Sequence, residues 1–106
     1  MLFKKTLLVG LVAAALAVAP AATATAAVTG NNATNAGGGM WQYGVTGSLS
    51  GTVYSNYHHA TKYHTATACD GAFFKTCKQS AAAAGVWAKA STSKSNGGNT
   101  AFWNTL

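Results

Sequence analysis

The residues best suited to chemistry lie together in one stretch, Tyr54 to His64. It holds all three histidines of the chain, His58, His59 and His64, and three of the four tyrosines. Imidazole can bind a metal ion, transfer a proton or donate hydrogen bonds to an anion. Aromatic rings stack on sugars, and lysine donates charged hydrogen bonds to phosphate. This stretch is therefore the first candidate for a functional site.

A zinc site is one interpretation of the three histidines, because three imidazoles and a water can complete the coordination of zinc. Neighbouring residues of a strand point to opposite faces of a sheet, however, so His58 and His59 cannot easily share one ion. We therefore expect no metal site and no other cofactor.

Acid-base catalysis lacks its usual carboxylates in this chain. Asp70 is the only acidic residue, and glutamate is absent. The paired acids of a glycosidase cannot be assembled from one carboxylate. A Ser-His-Asp triad would have to use Asp70, which lies between the two cysteines, and no nucleophile motif accompanies it. We expect no catalytic residues and no enzymatic activity.

Residues 1–26 have the pattern of a secretory signal peptide. Lys4 and Lys5 precede an uncharged apolar run from Leu7 to Val18, and small residues follow. Cleavage sites of the required small-residue type fall within 24–27. The apolar run is shorter than the about 20 residues that span a membrane. We expect the protein to be secreted and this leader to be removed.

The remaining chain of about 80 residues is long enough for one small domain. It has five lysines against Asp70 and no arginine, which gives a net charge of +4. Such a domain suits anionic partners such as phosphate head groups or wall polymers, and a role of the charge in solubility alone is the alternative. It contains no lysine-rich run, so we do not expect nucleic acid as a partner. It also has no long apolar or basic helical stretch, so we expect neither pores nor stable membrane insertion.

Cys69 and Cys77 are the only two cysteines. In an exported chain an even pair predicts a disulfide bond, because the compartment is oxidising. Closing this short loop would stabilise the fold by about 2.5 kcal/mol on the chain-entropy model. A catalytic cysteine or a metal thiolate is the alternative.

Short strands separated by turns are predicted for most of the chain. Residues 27–39 are rich in Gly and Asn and are expected to be flexible, so the domain is expected to span 40–106. Thr52 to His58 and Tyr63 to Cys69 are dense in Thr, Val and Tyr, which is typical of strands. Thr100 to Leu106 follows a Gly/Asn-rich turn as the last strand. About six such strands predict an all-β fold, a small antiparallel sandwich or barrel.

Two local predictions concern how these strands are arranged. Ala84 to Ala90 alternates, and we interpret it as one strand with the even-numbered residues inward rather than as an alanine-rich helix. Thr52 to His59 and Lys62 to Cys69 are expected to form a hairpin. That register places His59 opposite Lys62, Tyr57 opposite His64, and Ser55 opposite Ala66.

Two runs carry a resemblance to a known family. They are Tyr54 to His59, which reads YSNYHH, and Ala84 to Ala90, which reads AGVWAKA. Together with Trp41 before them and the aromatic pair ending at Trp103 after them, these runs resemble the lactococcin 972 family of bacteriocins. The resemblance extends from Trp41 to Trp103.

The resemblance implies a cleaved signal and a β-sandwich of two three-stranded antiparallel sheets. It also implies a bacteriocin that inhibits septum formation by binding the cell-wall precursor lipid II, without pores, and that acts as a homodimer. The disulfide pair Cys69 and Cys77 and the Gly/Asn-rich residues 27–39 depart from the family pattern.

We therefore predict a secreted protein that binds lipid II or another anionic cell-wall precursor. Lysine and histidine donors would hold the pyrophosphate, and aromatic rings would stack on the sugars. The candidate contact residues are Tyr57, His59, Lys62, His64, Trp87 and Lys89. A purely structural role for the aromatic residues is the alternative at the level of the residues. At the level of function, the alternative is a non-toxic secreted module that binds or adheres to cell wall or glycan.

Overall fold

The computed structural model describes residues 27–106, and these form strands and no helix. The predicted signal peptide, 1–26, lies outside the described residues. No helix within 27–106 is long and apolar enough to cross a membrane. The strands are β1 (Asn31–Ala36), β2 (Gly39–Thr46), β3 (Thr52–His58), β4 (His64–Cys69), β5 (Cys77–Ala82), β6 (Trp87–Ser93) and β7 (Thr100–Thr105).

Two antiparallel sheets pack against each other. One has four strands in the order β1-β2-β3-β6, and the other has three in the order β5-β4-β7. The buried hydrophobic residues come from both sheets and form one cluster between them. The predicted all-β sandwich is confirmed, with the correction that β1 adds a fourth strand to one of the two expected three-stranded sheets.

Strand β1 contradicts the prediction that 27–39 is a flexible lead-in. The last residue of β1 pairs with the first of β2, which leaves Gly37 and Gly38 as a two-residue turn. Their φ angles are 58° and 84°. Two successive positive φ angles are typical of the type I′ turn, whose twist matches that of paired strands. The glycines that suggested flexibility are therefore the turn residues of a hairpin. Val28 is already buried, and its amide donates to the Asn99 carbonyl at 2.8 Å.

The connection from β3 to β4 crosses from one sheet to the other, so the predicted hairpin is wrong. β3 pairs with β2 and β6, whereas β4 pairs with β5 and β7. Each of the two strands has one buried face, and placing these faces against each other removes both from water. Tyr57 and His64, predicted as strand partners, instead contact each other edge-to-face between the sheets at 5.5 Å between ring centroids.

A second crossing separates β5 from β6 and corrects the prediction of one strand from Ala84 to Ala90. Ala88 and Ala90 are buried, as predicted. Ala84 and Val86 are exposed, because they lie in a turn closed by an amide-to-carbonyl hydrogen bond of 3.1 Å. Strand β6 begins only at Trp87.

The core between the sheets combines large rings with alanines. Tyr57 of β3 and Trp103 of β7 stack across the interface with 5.0 Å between ring centroids. Trp41 of β2 is also buried. Small side chains around these rings leave room for them within the roughly 10 Å that separates packed sheets. The buried alanines are Ala66, Ala68, Ala82, Ala88, Ala90 and Ala101.

The Ser55 hydroxyl joins the two sheets by hydrogen bonds. Ser55 is fully buried in β3, and its Oγ accepts the indole N–H of Trp41 at 2.9 Å. The same hydroxyl donates to the carbonyl of Phe102, on the opposite sheet, at 2.8 Å. Buried polar groups are stable when they are paired in this way. Ser55 therefore adds a directional contact to an otherwise apolar interface.

The predicted disulfide bond between Cys69 and Cys77 is confirmed. The two residues are directly opposite each other where β4 and β5 meet. The loop between them is therefore the turn of a hairpin that is closed covalently at its base. Phe73 and Phe74 lie in this loop and are exposed.

We predict that Ser55→Ala lowers the free energy of unfolding by about 1–3 kcal/mol, because the Trp41 indole N–H and the Phe102 carbonyl lose their buried partner. Urea unfolding measures this difference. Ser91→Ala is the matched control, since Ser91 is exposed on β6, and we expect a change within about 0.5 kcal/mol. Equal effects of the two substitutions would contradict the role of Ser55.

We predict that Gly37→Ala destabilises the protein more than Gly30→Ala. Both glycines have positive φ, which costs an alanine about 1–2 kcal/mol. A Cβ at Gly37 would also collide with the Trp103 ring, whereas a Cβ at Gly30 would meet no atom within 4 Å. Overpacking adds about 1–3 kcal/mol. Thermal or urea unfolding of the two variants measures the difference, and identical losses would rule out packing of the turn on Trp103.

Candidate functional site

Strand β3 divides the side chains of the Tyr54 to His64 stretch between two environments. The burial of β3 alternates residue by residue, as a strand with one face in the core requires. Ser55 and Tyr57 point into the core, and Asn56 and His58 point to the other face of the sheet. One sequence run therefore supplies both internal packing and a surface.

His59 stabilises the first crossing between the sheets. Its ring is buried, and Nδ1 accepts the backbone N–H groups of Thr61 at 3.2 Å and Lys62 at 3.0 Å. Its carbonyl accepts the amide of Gly85 in the second crossing at 2.8 Å. Because Nδ1 already has two donors, this nitrogen is used by the fold.

His64 contacts the same two crossings through its side chain. It is fully buried, with Nδ1 2.7 Å from the carbonyl oxygen of Lys62 and Nε2 2.7 Å from that of Val86. Each ring nitrogen therefore lies within hydrogen-bond distance of a backbone carbonyl oxygen, which can only accept a hydrogen bond. Neither nitrogen is free to bind a ligand.

Tyr57 is the third buried member of the predicted contact set. Its hydroxyl donates to the carbonyl of Ala36 at 2.6 Å, and its ring is covered by Trp103 and His64. Burial raises the pKa of the Tyr57 phenol, because the phenolate would be poorly solvated there. Full burial thus removes Tyr57 and His64 from the residues that can contact a ligand at the surface, and the fold already uses Nδ1 of His59, which corrects the predicted set.

The four-stranded sheet has a second surface, which faces away from the core and carries aromatic and polar side chains. Strand register aligns Met40, His58 and Trp87 in one row, with Gln42, Asn56 and Lys89 in the next. The rings of His58 and Trp87 are 5.3 Å apart between centroids. We call this surface the outer face and define it by Met40, Gln42, Tyr54, Asn56, His58, Trp87 and Lys89.

The outer face brings together three kinds of contact. The ring of Trp87 offers a flat surface for stacking, and the His58 ring lies beside it at an angle of 46°. Gln42 and Asn56 present amides, which both donate and accept hydrogen bonds. Lys89 is exposed and adds a positive charge in the same row. This combination fits a sugar that carries phosphate.

Of the predicted contact residues, the structure brings Trp87 and Lys89 together on the outer face. Lys62 is exposed on the crossing that follows His58, at the end of this face. His58 and Asn56 were missing from the predicted set. The signal that could have found them is the alternation of β3, but both of its faces are polar-aromatic, so alternation alone could not identify the outward one.

Within residues 27–106 no group of three His, Cys, Asp or Glu side chains is placed to hold a metal ion. The three histidine rings are nevertheless near one another. The centroid of the His64 ring is 6.5 Å from that of His58 and 6.4 Å from that of His59. Backbone groups, however, occupy Nδ1 of His59 and both nitrogens of His64.

Comparison with known proteins identifies the family. The family model described as "Bacteriocin (Lactococcin_972)" matches residues 37–103, which is more than half of the chain. The chain belongs to the lactococcin 972 family of bacteriocins. Family membership favours a non-catalytic protein that acts on a component of a target cell, and bacteriocins of this family are generally secreted. The matched region starts at the β1–β2 turn, so β1 precedes it.

The solved structure of lactococcin 972 supports the same assignment. It is 35% identical to this chain with a TM-score of 0.51, over 64% of this chain and 98% of that one. A search of curated proteins gives no significant match. Nearly all of lactococcin 972 thus has a counterpart here, and the predicted family is confirmed.

We predict that the Tyr57 phenol makes stability fall at alkaline pH. Its pKa is raised in the folded protein, so the unfolded chain releases this proton first, above about pH 10. The contribution is present below that pH and is lost as pH rises through the folded pKa. Urea unfolding at several alkaline pH values measures the slope of stability against pH.

Tyr57→Phe is the matched variant for this measurement. At neutral pH it should cost about 1 kcal/mol for the lost hydrogen bond to Ala36. Above about pH 10 its stability should fall less steeply than that of the original protein. Parallel pH profiles would contradict the assignment to Tyr57, since all lysines and the other tyrosines are common to both proteins.

Proposed function

We propose that this protein is a secreted antibacterial protein that blocks cell-wall and septum synthesis in related bacteria by binding lipid II. The observation that supports this function best is the outer face, where Trp87, His58 and Lys89 lie on neighbouring rows of one sheet. Lipid II combines sugars with a pyrophosphate, and this face pairs a ring surface with a positive charge. Another anionic wall precursor of the same chemistry would fit equally.

Each part of the ligand has a partner of matching chemistry in this proposal. The indole of Trp87 stacks on a sugar ring, and the amides of Gln42 and Asn56 bond its hydroxyl or acetamido groups. Lys89 donates charged hydrogen bonds to the pyrophosphate, and Lys62 adds positive charge at the end of the outer face. These contacts sequester the precursor and require no bond to be made or broken.

The only acidic side chain has an internal role that fits a non-catalytic function. Asp70 Oδ1 accepts the backbone N–H groups of Ala72 at 3.1 Å and Thr76 at 3.0 Å. It lies in the disulfide loop, beyond the end of β4 opposite to the histidines. The proposed binding on the outer face therefore does not involve this carboxylate.

We predict that Trp87→Ala and Lys89→Gln each weaken binding of a water-soluble lipid II analogue about tenfold or more, which corresponds to about 1.4 kcal/mol. Isothermal titration of the secreted protein measures the affinity. Gln79→Ala is the control, because Gln79 is exposed on β5 of the other sheet, away from the outer face. We expect it to bind as the original protein does.

Absence of binding by the original protein would contradict the proposed function. Equal affinity in all variants would contradict the outer face as its site. Binding without inhibition of cell division would instead indicate a non-toxic wall-binding module on the same scaffold. Sedimentation velocity on the same samples tests whether the protein is a homodimer, as proposed from the family.

A further inference from the structure

The loop closed by the disulfide bond presents two large apolar side chains to solvent. Phe73 is 94% exposed and Phe74 is 86% exposed. Their rings contact each other edge-to-face with 5.0 Å between centroids. Exposed apolar residues that cluster at one place mark a contact surface more often than isolated ones do.

The exposure follows from how the loop is built. The disulfide bond between Cys69 and Cys77 closes the base of the loop. Inside the loop, the Asp70 carboxylate accepts the backbone N–H groups of Ala72 and Thr76, and the Asp70 amide donates to the Thr76 carbonyl at 2.9 Å. Gly71 packs against the turn before β7, where a Cβ would collide with the Gly97 carbonyl. The fold thus holds this loop in a defined shape that points both phenylalanines outward.

A third exposed apolar residue lies at the same end of the sandwich. Leu49 is 93% exposed in the turn between β2 and β3. Strand register places this turn and the disulfide loop at the end away from the histidines. Lys94 Nζ donates to the Ser48 carbonyl at 2.8 Å, which puts a positive charge beside the turn. We call this region the loop end and define it by Leu49, Phe73, Phe74, Lys75 and Lys94.

The charge of the loop end is positive. Lys75 follows the phenylalanines directly and is exposed. The sole acidic residue of the chain, Asp70, directs one carboxylate oxygen to backbone amides within the loop. Apolar rings flanked by lysines match the region of an anionic bilayer where lipid phosphates lie just outside the acyl chains.

We propose that the loop end docks the protein on the surface of an anionic phospholipid bilayer. Phe73 and Phe74 enter the interfacial layer, and Lys75 and Lys94 contact lipid phosphates. The loop end offers three exposed apolar side chains, Leu49, Phe73 and Phe74, whereas each side of a stable protein interface has roughly 20–30 residues. A fluid bilayer needs no matching shape, so it suits the loop end better than a folded partner. The contact is peripheral and does not span the membrane.

Docking by the loop end is independent of the proposed lipid II site. Leu49, Phe73 and Phe74 are at loop tips, whereas His58 and Trp87 are on the sheet surface toward the opposite end. Membrane docking therefore leaves the outer face accessible. It concentrates the protein on the surface where lipid-linked molecules are found.

Co-sedimentation of the secreted protein with vesicles free of lipid II tests this proposal. We expect binding to phosphatidylcholine vesicles that contain phosphatidylglycerol, weakened by salt and by omission of the anionic lipid. The double substitution Phe73→Ser with Phe74→Ser should reduce partitioning about tenfold or more. Tyr63→Ser is the matched control, since Tyr63 is 50% exposed near the opposite end, and it should bind normally.

Three outcomes would overturn the proposal. They are no binding to the anionic vesicles, equal binding by the double variant, and equal binding to neutral vesicles. If the double variant instead changes the sedimentation coefficient without vesicles, the loop end contacts a second copy of the chain. Unchanged urea unfolding excludes a folding defect, and unchanged titration with the water-soluble lipid II analogue separates docking from the proposed function.

Discussion

The structure depends on the burial of Tyr57 between the two sheets. Its hydroxyl bonds the end of β1, its ring stacks on Trp103 of the opposite sheet, and its edge meets His64 where the chain enters β4. A buried phenol is stable only with a hydrogen-bond partner and close packing, so these neighbours are constrained together. The turn at Gly37 is part of the same contact, because the ring of Trp103 leaves no room for a side chain there.

Burial of Tyr57 also determines which residues are available for recognition. Successive residues of a strand alternate between faces, so Asn56 and His58 must point away from the core when Tyr57 points into it. The register of β6 then places Trp87 beside His58 and Lys89 beside Asn56. The core residues and those of the proposed binding face therefore alternate along one strand, and a shift by one residue would exchange their positions.

Much of the fold was predictable from local chemistry. The disulfide pair, strands β3, β4 and β7, and the family motifs around His58 and Trp87 needed no knowledge of distant contacts. Strand partners could not be predicted, because alternation reports faces and not neighbours. The buried set was missed for a similar reason: aromatic and imidazole groups suggest recognition, yet backbone groups contact the Tyr57 hydroxyl, Nδ1 of His59 and both ring nitrogens of His64 inside the protein. The high Gly and Asn content of residues 27–39 suggested a flexible segment, but Gly37 and Gly38 are the turn residues of the first hairpin.

The central claim is that the ligand binds on the outer face while the buried histidines maintain the fold. Amide chemical-shift mapping by NMR, with a water-soluble lipid II analogue added to the isotope-labelled secreted protein, tests it most directly. The account predicts the largest shifts at Gln42, Asn56, Lys89 and the Trp87 indole, with little change in the disulfide loop or on β5. Shifts centred on the three-stranded sheet, or no shifts at saturating analogue, would contradict it.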